Sequence, residues 1–207
     1  MLAAIAVPTA ITAQDLLEVA HRATVATAEE SPERLTCLLR EGEVQLRHDA
    51  IGALATLQET RRLAILLGDT DREALCLALM ARGEAKTKGI PAARLLQKEA
   101  EQKLGKDTPA ALRGQVDYAF ALVHWAFDET ADALAHLNSA IDAAEETGDK
   151  LLQARCQLLV IGVMGWPDEP LAAIDHIERL GKAIPDEGIL LEAQLLRAHA
   201  GVWLGSA

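Results

Sequence analysis

The residues best suited to hold a ligand recur at a near-constant interval. Trp125, Trp166 and Trp203 lie 41 and 37 residues apart, and Tyr118, Phe120 and Phe127 gather around the first of them. Indole and phenol side chains offer a large, stiff contact area with one polar tip, so they anchor a partner at little entropic cost. Two readings of the interval stand. The tryptophans fill the junctions between repeated units as a structural ladder, or they stand on a groove, in which case Tyr118, His124, Trp125 and Trp166 form a ligand or partner site. His136 and His176 are 40 residues apart; a metal or acid/base pair would use two histidines, but equivalent places in a repeat give the same spacing. Cys37, Cys76 and Cys156 show no CxxC or Cys/His cluster and sit in apolar stretches, so they read as reduced, buried thiols. No HExxH, GxSxG or glycine-rich phosphate loop occurs. The expectation is a protein that is not an enzyme and uses no cofactor or metal.

The elements that must position these side chains are helices. The 207 residues include 39 Ala and 33 Leu, against 20 Val plus Ile and six aromatics. That balance favours strong helix formers over the β-branched and aromatic residues of sheets. With so few aromatics, many small Ala/Leu contacts between neighbouring helices are expected rather than one large core. Asp and Glu outnumber Lys and Arg by 31 to 20, for a net charge of −11, which disfavours direct binding to nucleic acid or to an anionic membrane surface. No apolar run is long enough to span a bilayer. Residues 82–113 reverse the balance, with eight basic and four acidic side chains. Such an electropositive segment between acidic neighbours would orient an acidic partner or simply keep the surface soluble. The carboxylates Asp128, Glu129 and Asp132, and then Asp142, Glu145, Glu146 and Asp149, read as a solvated helix face.

A 40-residue period organises the chain. Ala13, Ala53, Ala93, Ala133 and Ala173 are each 40 apart, and the fourth residue beyond them is Leu17, Leu57, Gln97, Leu137 and Ile177. The third unit fits least well, and a slide of one or two residues would bring Leu95 and Leu96 onto the apolar stripe. Helix stops are expected at Gly68, Gly105, Gly148 and Gly181. Starts are expected at Ser31-Pro32-Glu33, at Thr70 with Glu73 as a capping box, at Thr108 before Pro109, and at Asp149. The map is a leading helix over about 13–29, then pairs at about 33–47 with 50–67, 71–87 with 91–104, 109–126 with 129–147, and 150–165 with 170–183. A terminal helix follows at about 187–204. Short connections force neighbours into antiparallel hairpins, and stacked hairpins give an all-α, right-handed α-solenoid spanning residues 1–207 as one domain.

The stretch Ala133-Leu134-x-x-Leu137-x-x-Ala140-Ile141 resembles the second-helix signature of tetratricopeptide repeats, and Ala173-Ile174-x-x-Ile177 and Ala53-Leu54-x-x-Leu57 repeat most of it. The longer units, with stops such as Leu67-Gly68-Asp69 and Thr147-Gly148-Asp149, look like the repeats of large bacterial signal-responsive transcription regulators. The resemblance implies an interaction or sensor module that holds a protein segment, peptide or small effector on a concave face of first helices. The alternative is a stand-alone adaptor or homodimerising scaffold. The last helix is apolar for a solenoid end, so self-association through Leu190, Leu195, Leu196 and Trp203, or a continuing chain, is expected. A cytoplasmic location is expected, with export as the alternative because the uncharged, small and apolar Met1 to Ala13 resembles a signal-peptide remnant.

Overall fold

The computed structural model describes residues 13–164 together with Ile174, Asp175, Ile177 and Arg179. Among them every element is helical: α1 (Ala13–Val25), α2 (Pro32–Gln45), α3 (Ala50–Leu67), α4 (Thr70–Thr87), α5 (Ile90–Lys103), α6 (Ala110–Ala126), α7 (Thr130–Thr147) and α8 (Lys150–Met164). The bounds follow the local chemistry. The hydroxyl of Ser31 accepts from the Arg34 N–H, with Pro32 as the first helical residue of α2. Asp149 accepts from the Leu152 N–H at 3.0 Å, and Gly68 and Gly148 end α3 and α7 at φ of 68° and 69°, a conformation that glycine adopts without steric cost.

Several local expectations are corrected. The leading helix stops at Val25, four residues early. At α4 the cap is Asp69, whose carboxylate accepts from the Arg72 N–H at 2.9 Å. Glu73 turns instead into an ion-pair network, with Lys103 at 2.7 Å and Arg61 at 3.4 Å. Thr108 does not cap α6; it donates to Asp71 and accepts from the Gly105 N–H. Gly105 is no left-handed stop, because α5 has already ended at Lys103, and Gly89, also at positive φ (83°), stands instead as the N-cap of α5. Cys76 and Cys156 are buried free thiols, but Cys37 is only half-buried. Trp166, Trp203, His176, Gly181, the leader over 1–12 and the apolar terminal helix with Leu190, Leu195 and Leu196 lie outside the described residues.

The 40-residue period is a packing period. Ala53, Ala93 and Ala133 are fully buried, as are Leu57, Leu137 and Ala140. The third unit keeps the register without a slide: Gln97 is buried in the place of a leucine, accepting from Arg94 at 2.7 Å, while Leu95 is 72% exposed. Sequential helices pack on one another from α1 to α5 and again from α6 to α8, α6 docking chiefly on α4 rather than on α5, and the even-numbered α2, α4, α6 and α8 pack along one another. Close approach is built in at Gly83, where a methyl group would lie 2.9 Å from Leu54 Cδ2. The apolar core runs through the stack in successive clusters, one centred on Leu57, Leu77 and Phe120 and another on Leu137, Leu152 and Cys156. Among the described residues no helix is long and apolar enough to cross a membrane.

Candidate functional site

A cleft of about 480 Å³ opens on the side of the even-numbered helices, and all its lining residues come from α2, α4, α6 and α8. Its walls are set by the repeat. Leu39, Leu79 and Ala119 are 40 residues apart and all line it; so do Leu75, Gln115 and Arg155, the trio Arg72, Leu112 and Leu152, and the pair Arg82 and Leu122. A helix of about 3.6 residues per turn presents positions three, four and seven apart on one stripe. Equivalent stripes on α2, α4, α6 and α8 therefore line one cleft.

Leucines are the commonest residue of that wall, and arginines supply most of its charge. Arg40, Arg72, Arg82 and Arg155 line the cleft with one acid, Glu43. Glu43 on α2 accepts from Arg155 on α8 at 2.7 Å, a bond between residues 112 apart in sequence. Arg72 is held by the cap residue Asp69. Arg82 differs. It is half-buried in the cleft wall, and no hydrogen bond or ion pair to its guanidinium is found among the described residues. Burial pulls its pKa below the usual arginine range, and the like charges of Arg47 and Arg155 act in the same direction; Tyr118 and Glu43 oppose them.

Of the four residues singled out from sequence, the three described ones do not share one site. Tyr118 lines the cleft. His124, six residues on, sits about 120° around α6 and is buried in a separate polar cluster. Trp125 is 43% exposed at the end of α6, and its ring lies 3.4 Å from where a Cβ on Gly162 would be. Trp166 is not among the described residues. Sequence reasoning missed the arginines and leucines of the cleft, although the 40-residue period, laid over the first helices, picks them out.

The His124 cluster is internally satisfied. Its Nδ1 lies 2.7 Å from Glu129 Oε2 and its Nε2 3.1 Å from Arg94 Nη1, so a neutral ring protonated on Nδ1 donates to one and accepts from the other. Arg94 also pairs with Glu129, so that carboxylate belongs to a network rather than to a solvated face. Burial lowers the His124 pKa, against the hydrogen bond that the ring donates to Glu129, which favours the charged form. His136 stacks on His124 at 5.2 Å and donates to Asp117 at 2.8 Å. His124, Glu129 and Asp132 could together surround an ion, but the Arg94 guanidinium already supplies the cation that this group of ligands would balance. No protein-family model matches the chain, and no curated protein matches it.

Proposed function

We propose that the protein acts by non-covalent recognition, as an interaction or sensor module whose concave face of first helices holds a partner segment or small effector. The observation that carries this is the cleft itself: a preformed hollow of about 480 Å³ with apolar walls and converging arginines, drawn from four helices at equivalent repeat positions. That volume lies within the span usual for ligand pockets, roughly 300–1,000 Å³. A receptor already in shape loses little entropy on binding.

The same proposal includes the architecture, a tetratricopeptide-like α-solenoid of antiparallel pairs. Support comes from the order of contacts. Along α3, Leu54, Leu57 and Arg61 meet Gly83, Cys76 and Glu73 of α4 in reverse order. Gly114, Asp117 and Phe120 of α6 likewise meet Ala143, Ser139 and His136 of α7.

The test is a thermal-shift panel of small organic molecules and short peptides, run on the native chain and on Leu122→Glu, which sets a charge in the cleft wall. A ligand at a hundred times its Kd stabilises by about 2.7 kcal/mol, a readable rise in melting temperature. Compounds that raise the midpoint of the native chain and not of the variant support the reading. Compounds that raise both alike bind elsewhere and would overturn it.

A further inference from the structure

The feature left unbalanced by everything described so far is Arg82. Arg82 lines the cleft half-buried, and its guanidinium, with five N–H donors and no acceptor, has no hydrogen bond or ion pair among the described residues, so water in the cleft is what a ligand anion would replace. The groups close enough to act on it electrostatically are Tyr118 from α6, Glu43 from α2, Arg47 from the turn after α2, and Arg155 from α8. Of these, the carboxylate of Glu43 already binds Arg155 at 2.7 Å. The cleft thus carries four arginines against one carboxylate, and a second anion is the partner that Arg82 can take.

The surroundings say what that anion is attached to. Leu75, Leu79, Leu112 and Leu122 line the same hollow, so the ligand has an apolar body beside its charged group. The bridge from Glu43 to Arg155 ties α2 to α8 across 112 residues, and both residues line a hollow of about 480 Å³, a volume that suits a small ligand better than a length of polypeptide.

Resting on the reading of the cleft as a recognition site, we infer that its ligand is a small amphipathic organic anion, whose carboxylate or similar acidic group pairs with Arg82 while its hydrocarbon part lies against the leucines of α4 and α6. Planar, two-pronged pairing of guanidinium with carboxylate is the strongest hydrogen-bonded arrangement open to this site. The arginines around it exclude a cation and give a neutral compound of the same shape no compensation for displacing water from Arg82.

The experiment titrates the full chain with octanoate, octan-1-ol, octylamine and inorganic phosphate by isothermal calorimetry, alongside Arg82→Gln, Arg82→Lys and Leu122→Glu, with circular dichroism to check each fold. The expected result is octanoate binding at least about tenfold more tightly than octan-1-ol, with octylamine and phosphate weaker still. Arg82→Gln should remove the preference for octanoate and leave octan-1-ol unchanged, and Leu122→Glu should weaken both. Equal binding of octanoate and octan-1-ol, or a preference that survives Arg82→Gln, overturns the anion assignment while leaving the cleft as a recognition site. Octanoate binding that Leu122→Glu does not touch overturns the cleft reading itself, as does failure of every probe to bind. A Glu/Leu-rich peptide that displaces octanoate and binds at least about tenfold tighter would overturn the small-ligand assignment in favour of a protein partner. If Arg82→Gln does not fold, Arg82→Lys and the ratio of octanoate to octan-1-ol in the native chain still decide the matter.

Discussion

His124 illustrates how a side chain that stands out in the sequence takes its setting from residues distant along the chain. Its ring is buried between Arg94, Glu129 and His136, where it joins α5, α6 and α7. Because burial lowers its pKa in the folded chain, the unfolded state binds the proton more readily, and stability rises with pH in that range. The contribution of His124 is present in full above its ordinary value of about 6.5 and is lost as the pH falls through the lower folded value. Melting midpoints of the native chain should therefore drop between neutral pH and about pH 5, and His124→Gln should flatten that part of the profile; an unchanged slope in the variant would place the sensitivity elsewhere. The position of His124 near the end of a first helix was legible from sequence. Its neighbours were not, since Arg94 lies 30 residues away and Glu129 reads locally as one of a run of surface acids. Arg82 was legible only as a member of a basic segment, because what sets it apart is the company of Glu43, Tyr118 and Arg155 from three other helices and of Arg47 from the turn after α2.

At the scale of elements, the second helices carry the readable pattern and the first helices carry the cleft. Ala53, Ala93 and Ala133 are small because another helix lies against each of them, and all three are fully buried. Ala133→Phe is expected to cost about 1–3 kcal/mol by overpacking. Ala135→Phe, two residues on and exposed, should stay within about 0.5 kcal/mol of the native chain. Equal melting temperatures for the two variants would refute the packing assigned to this face. Helix extents could be read closely from composition and punctuation, but individual caps could not. Asp69 and Thr70 are both good candidates for the start of α4, and the choice falls to Asp69 because Glu73, which a capping box would need, is drawn away by Arg61 and Lys103. In the third unit a buried Gln97 satisfied by Arg94 looks like a break in the repeat when only hydrophobicity is counted. The first helices escaped notice for a related reason: their repeat-equivalent positions alternate Leu with Arg, as in Arg72, Leu112 and Leu152, so no single residue type marks the stripe.

At the scale of the whole molecule, a 40-residue period specifies that positions recur but not how the helices close on one another, and in the α-solenoid proposed above any curvature would accumulate from small rotations between neighbours. The ion pair of Glu43 with Arg155 was therefore beyond reach of the sequence. Its consequence lies in kinetics. A linear array can lose an end unit while the rest stays intact, because each unit is held only by the one beside it. Here α8 is fastened to α2 as well, so the last described helix cannot peel away without breaking a bond to the beginning of the row. That bond closes a loop of 112 residues, and it can form only after the intervening helices have stacked and brought its two halves together. It belongs after the rate-limiting step of folding. Glu43→Gln should then speed unfolding several-fold and leave the folding rate nearly unchanged. Native-state hydrogen exchange should show α8 opening by itself, at a free energy below that of global unfolding, where in the native chain the two coincide.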